Sequence, residues 1–202
     1  MENPRSHAKS PRATNRDKIV QAAMVCFVER GIANSSVRDI AEHAGVSQGN
    51  LYNHFRSKDA LIAEIARLDA DEMHQVAEAA LGLPPLPGLL ALCEVYLAMA
   101  SRPEDAVLTL EITTQALRDP EIAKSFAGGR DMLRTRMQGL VQSAQAAGSL
   151  PDTLSPPDTV ATLLDLLNGM GLRLGLNARA ATPQETATLH RAIHGVLGIS
   201  AP

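Results

Sequence analysis

The sequence predicts an all-α protein of about nine helices, with a three-helix N-terminal unit that contains a helix-turn-helix and a larger helical domain after it. Three observations predict this. Apolar residues recur at three- and four-residue spacing, and no segment alternates as a half-buried strand must. Helix starts are marked repeatedly by Ser, Thr or Asp followed closely by an acidic residue or Pro.

Residues 1–13 hold Arg5, His7, Lys9 and Arg12 with two prolines and no periodicity, the composition of a disordered basic arm. Thr14 with Asp17 forms a capping-box pattern, opening a helix with Ile19, Ala22, Ala23, Cys26 and Phe27 on one face and Gly31 at its end. Ser36 with Asp39 repeats the box for a short helix, Val37 to His43, in which Ile40 and Ala41 turn inward. Gly45 suits the left-handed turn that follows. Ser47 caps a second short helix, polar except for Leu51, and Phe55 closes the small core. Ser57 then caps a long helix to about Ala80, with Leu61, Ile62, Ile65, Leu68, Met73 and Val76 on its inner face.

Gly82 to Gly88 breaks the pattern, being too rich in proline for a helix interior. Helices are then expected at roughly 88–101, from Ser101 with Glu104 at the box position to Arg118, and from Asp119-Pro120 to Ala147. Gly128-Gly129 leaves open whether 119–147 is one bent helix or two. Ser155 and Thr182 start the last two helices, to about Asn177 and Leu197. The expected division is a basic arm at 1–13, a helix-turn-helix domain at 14–56 and a second domain at 57–202.

The 202 residues suffice to bury a sizeable core, and with 2% aromatic residues and no Trp that core must be aliphatic. Cys26 and Cys93 lie far apart on apolar faces and read as core thiols rather than a disulfide or metal pair. No apolar run of 18 residues and no signal-peptide pattern occurs, so a cytoplasmic protein with no membrane partner is expected. The net charge of −3 hides a division, +3 over residues 1–60 and −6 over 61–202. A basic end on an acidic body orients a molecule toward phosphate.

The segment from Ser36 to Lys58 gives that basic end a purpose. Gln48, Asn50, Tyr52, Asn53 and His54 crowd hydrogen-bonding groups onto a helix too short to be stable alone, which suits a base-reading element better than a packing one. The run GVSQGNLYNHFRSKDAL, with IVQAAMVCFVERG upstream, resembles the N-terminal domain of the TetR family of transcriptional regulators. The resemblance implies that Arg38, Gln48 and Asn50 reach bases, that Tyr52, His54 and Lys58 hold phosphates, and that Ser36 and Ser47 add contacts at helix starts. Asn53 stands at a position often aromatic in the family, so its contact goes to a base or to the backbone. Asp39 must point back into its cap to avoid repelling phosphate. The basic arm is compatible with a path along the DNA backbone or minor groove.

Residues 160–176 are apolar on nearly all sides, which suggests two neighbours, the chain's own core and a second subunit. Leu163, Leu167, Met170 and Leu174, with Ile193 and Leu197 of the last helix, are the expected dimer interface, and Gly169, Gly171 and Gly175 would permit close approach there. A homodimer is what the resemblance implies, and it would read a palindromic operator with half-sites roughly 34–36 Å apart or a multiple of that. The second domain is expected to hold a mainly apolar small-molecule effector, with Tyr96, Met99, Glu111, Thr114, Gln115, Met132, Arg136, Asn168 and Arg173 as candidate lining residues. With no Trp and two Tyr, an aromatic cage for a quaternary cation is disfavoured.

The function expected is that of a repressor released by its effector, with no cofactor. One rival is a DNA-binding activator or architectural protein without an effector. The other, an α-helical enzyme, finds no support: HExxH, CxxC, a Gly-rich phosphate loop and a Ser/His/Asp constellation are all missing from the sequence.

Overall fold

The computed structural model describes residues 14–200, without the side chain of Leu81. The basic arm expected at 1–13 therefore lies outside the described residues. Among those described there are nine helices and no strand: α1 (Asn15–Arg30), α2 (Val37–His43), α3 (Gln48–His54), α4 (Lys58–Leu81), α5 (Pro85–Ala100), α6 (Pro103–Ala116), α7 (Pro120–Ala146), α8 (Pro156–Leu176) and α9 (Pro183–Val196). The described residues separate into two compact units, the first ending at Leu61 and the second beginning at Ile62, with the division inside α4.

In the first unit α1 packs against α2 and α3 around Ile19, Ala23, Phe27, Ile40, Leu51 and Leu61. Both expected capping boxes form, at Thr14 and Ser36, each with the acidic side chain returning to the cap residue's own N–H. Gly45 has φ 67°, and around it the N–H groups of Gly45 and Val46 donate to Glu42 and Ala41, closing the end of α2.

In the second unit α8 is the central element, packed by α5, α6, α7 and α9. Its core is aliphatic, with Leu89, Leu92, Met137, Val141, Val160, Leu163 and Leu167 almost wholly buried. Cys93 joins this core and Cys26 that of the first unit, both as free thiols; burial pushes the Cys93 thiol up to about 12.

The boundaries differ from expectation at α5 and α6, and α7 resolves the choice that its paired glycines left open. α5 begins within the proline-rich run, at Pro85, because the first turn of a helix has no intrahelical use for the missing N–H groups. α6 starts at Pro103 with no side-chain cap, and the Ser101 hydroxyl instead donates to Ala98. α7 is a single 27-residue helix. Its paired glycines do not break it: a Cβ on Gly129 would lie 2.8 Å from the Ala70 methyl of α4, so glycine serves close approach there, whereas Gly128 faces open space.

Candidate nucleic-acid interface

α3 is held by one buried side chain, Leu51, with Phe55 buried just beyond its end. Ser47 caps it by accepting the Asn50 N–H at 3.1 Å. Anchorage through Leu51 leaves Gln48, Tyr52, Asn53 and His54 exposed together, with Arg38 of α2 also exposed. Arg38, Gln48, Tyr52, Asn53 and His54 thus stand clear of the core of this unit. Tyr52, at 52% exposure, is among the most exposed large apolar side chains described.

Three residues of the expected set, Ser36, Ser47 and Lys58, are engaged within the unit, and Asn50 is partly withdrawn into it. The Ser36 hydroxyl accepts the Asp39 N–H and donates to the Asp39 carboxylate, so it belongs to the cap. Asp39 does point back: hydrogen bonds from the Ser36 side chain and backbone hold its carboxyl below the usual range, aided by Arg30, which lies 3.7 Å away, and by Arg38. Ser47 caps α3. Asn50 is only half-exposed, with its Oδ1 buried. Lys58 donates through Nζ to the carbonyl of Ile32 at 2.6 Å and of Ser35 at 3.3 Å, tying the start of α4 to the loop between α1 and α2.

The sequence offered no signal for that tie, since its ends are 26 and 23 residues apart. Nor did it indicate Ser35, a buried residue whose hydroxyl donates toward the carbonyls of Cys26 and Gly31, or Arg16, which stacks 5.0 Å from the centre of the Phe55 ring. A concavity of about 290 Å³ between α1 and the end of α2, lined in part by Lys18, Val25 and His43, was also unforeseen.

The residues expected to line an effector cavity are only partly assembled. The Tyr96 hydroxyl donates to the side-chain Oδ1 of Asn168 at 2.6 Å, joining α5 to α8, and Met99 and Met132 pack half-buried against the core. Arg136 pairs with Glu78 of α4, and Arg173 with Glu185 of α9, each at 2.6 Å. On α6, Thr114 is exposed and Glu111 and Gln115 are half-exposed.

Five of the six residues expected at a dimer interface belong instead to the chain's own core. Leu163, Leu167, Leu174, Ile193 and Leu197 are at most 3% exposed within a single chain, and so have no surface left for a partner; of the six, Met170 alone is half-buried. Much of the apolar breadth of α8 is taken up by its own neighbours, while Leu176 stays 57% exposed. A Cβ on Gly171 would lie 2.7 Å from the Ala100 methyl of α5, and one on Gly175 would strike Ala106 of α6, so these glycines serve packing inside the chain while Gly169 faces open space.

Comparison with known proteins decides what this arrangement belongs to. The model for bacterial regulatory proteins of the tetR family matches residues 19–65, and that for the BetI-type transcriptional repressor C-terminal domain matches residues 85–198. The chain belongs to the TetR family of transcriptional regulators. Over 178 residues it is 29% identical to an HTH-type transcriptional repressor of Mycobacterium tuberculosis, covering 88% of this chain and 89% of that one. It is 26% identical over 174 residues to the HTH-type transcriptional regulator UidR of Escherichia coli, with 84% of each covered. Among solved structures, Salmonella enterica GusR superposes with a TM-score of 0.77 at 25% identity, covering 94% of this chain and 98% of that one. As a TetR-family member the chain is a DNA-binding transcriptional repressor and not an enzyme. Among the described residues no helix is long and apolar enough to cross a membrane.

Proposed function

We propose that this TetR-family chain acts as a homodimer that binds a palindromic operator and is released by a small-molecule effector held by residues 62–202, in the cytoplasm. The observation that carries the reading is the shared exposure of Gln48, Tyr52, Asn53 and His54 on a two-turn helix anchored by Leu51. Gln48 offers a two-point contact to adenine and Arg38 one to guanine, each worth about 1–3 kcal/mol of discrimination. Tyr52 and His54 hold phosphates, which fix register without reading sequence.

Two copies are needed because seven residues of helix read too few base pairs to find one site. The outer faces of α8 and α9 are the surfaces for pairing: Asp165, Gly169 and Leu176 on α8, Arg191 and Gly195 on α9. Leu176 is 57% exposed, neither glycine meets anything in the chain, and Asp165 and Arg191 offer opposite charges to a symmetry-related pair.

For the effector, the Tyr96–Asn168 pair supplies a polar group and Met99 and Met132 supply flexible side chains packed against the same core, a combination that suits a mainly apolar ligand with one hydrogen-bonding group. A hundredfold release requires about 2.7 kcal/mol of differential affinity between the DNA-bound and free arrangements, within the ordinary range of coupling.

Selection of bound sequences from random duplex DNA, followed by footprinting, tests the reading. A protected palindrome is expected. Recovery of no preferred sequence, or of a preference unchanged by Gln48→Ala, overturns it.

A further inference from the structure

Asn50 carries the one buried side-chain polar atom among the described residues that has no hydrogen-bond partner, its Oδ1. The opposite end of the same amide, Nδ2, is neither buried nor bonded. The two ends of this side chain therefore face in different directions, one into the first unit and one away from it. Turning the amide over would place two donors where one acceptor now lies, a costlier burial in the same unpartnered space. The oxygen accordingly stays inward and the nitrogen outward. Gln48, Tyr52 and Asn53 of the same short helix are exposed as well.

Asparagine is commonly expected to grip adenine with both ends, accepting from N6 through Oδ1 while donating to N7 through Nδ2. That grip needs both atoms on one accessible edge. Here only the donor is accessible. We propose that Asn50 reads a purine through its amide nitrogen alone, donating to N7, and so accepts adenine or guanine at its position. This rests on the reading of α3 as the recognition helix. Its consequence is a purine preference at one base pair of each half-site, where the two-point contact would have demanded adenine.

The full-length protein and the operator obtained by selection supply the test. Each purine of a half-site is replaced in turn by its 7-deaza form, and each adenine by purine, which lacks the 6-amino donor. One 7-deaza substitution is expected to weaken wild-type binding about tenfold, the effect of losing one such bond, and to leave Asn50→Ala unaffected. Purine for adenine is expected to affect the wild type and Asn50→Ala alike at every position. Asn50→Asp keeps the size and the inward oxygen but loses the donor, and is expected to lose the 7-deaza sensitivity as Asn50→Ala does. Thermal melting of Asn50→Ala at or above the wild type shows that the variant folds and that an orphaned acceptor has been removed.

The proposal is overturned if a purine-for-adenine substitution weakens the wild type and spares Asn50→Ala, which is the signature of the two-point grip. It is also overturned if no 7-deaza substitution separates the two proteins. A wild type that selects no sequence at all sinks the underlying reading of α3 instead, which is a different result from either.

Discussion

The ammonium of Lys58 lies 2.6 Å from the carbonyl oxygen of Ile32, with Ser35 as its second acceptor. This side chain therefore fastens the first turn of α4 to the loop that positions α2. Lys58→Ala is expected to cost about 1–2 kcal/mol of stability through the two hydrogen bonds it removes, and to weaken operator binding across all sequences. Urea denaturation beside a salt titration of binding separates the two effects. A variant with full stability and a reduced salt slope would make Lys58 a phosphate contact only.

The glycines of α8 divide into two kinds. Gly171→Val forces a side chain against Ala100 and is expected to destabilise the protein by roughly 1–3 kcal/mol or more, read as a lowered melting temperature. Gly169→Ala adds a methyl that meets nothing within its own chain, and is expected to leave the intrinsic stability of that chain unchanged or raise it by up to about 1 kcal/mol. Equal effects at the two positions would contradict the packing described.

Gly169→Arg places a long charged side chain on the outer face of α8 without disturbing the core. Sedimentation equilibrium is expected to show monomers at concentrations where the wild type is dimeric, with helicity unchanged. Persistence of the dimer would move the subunit contact elsewhere.

Acid should loosen both units. Asp39 is held low by Ser36, and Glu185 lower still by Arg179, with the Thr182 backbone and Arg173 adding to it. In each case the folded state binds its proton less tightly than the unfolded chain. The stability they contribute is complete above about pH 5 and is lost as pH falls below about 4. Urea midpoints measured at pH 7, 5 and 3 should fall toward the acid end, and Asp39→Asn combined with Glu185→Gln should flatten that fall. An unchanged slope in the double variant would mean that other carboxylates govern it.

Much of this architecture was legible because its determinants are local. Thr14, Ser36, Ser47 and Thr182 announce helix starts through bonds to backbone two or three residues away, and all four form them. Leu51 and Phe55 were legible as anchors because a polar helix with one apolar residue can be oriented in only one way. The partner of an apolar face is a different matter. Periodicity shows that Leu163, Leu167 and Leu174 must be buried, but it carries no information on whether the chain's own helices or a second copy do the burying. For these three residues the chain's own helices do the burying, and the close approach depends on Ala100 and Ala106 meeting Gly171 and Gly175, pairings distant in sequence. The orientation of the Asn50 amide and the tie from Lys58 to Ile32 were hidden for the same reason.

α3, the recognition helix of the proposed function, spends a single one of its seven positions, Leu51, on a fully buried anchor. Its other positions can therefore drift under mutation with little penalty to folding, so descendants of a duplicated copy can acquire new target sites while keeping the same scaffold. Insulating folding from recognition in this way makes the helix a natural place to redirect the protein by design.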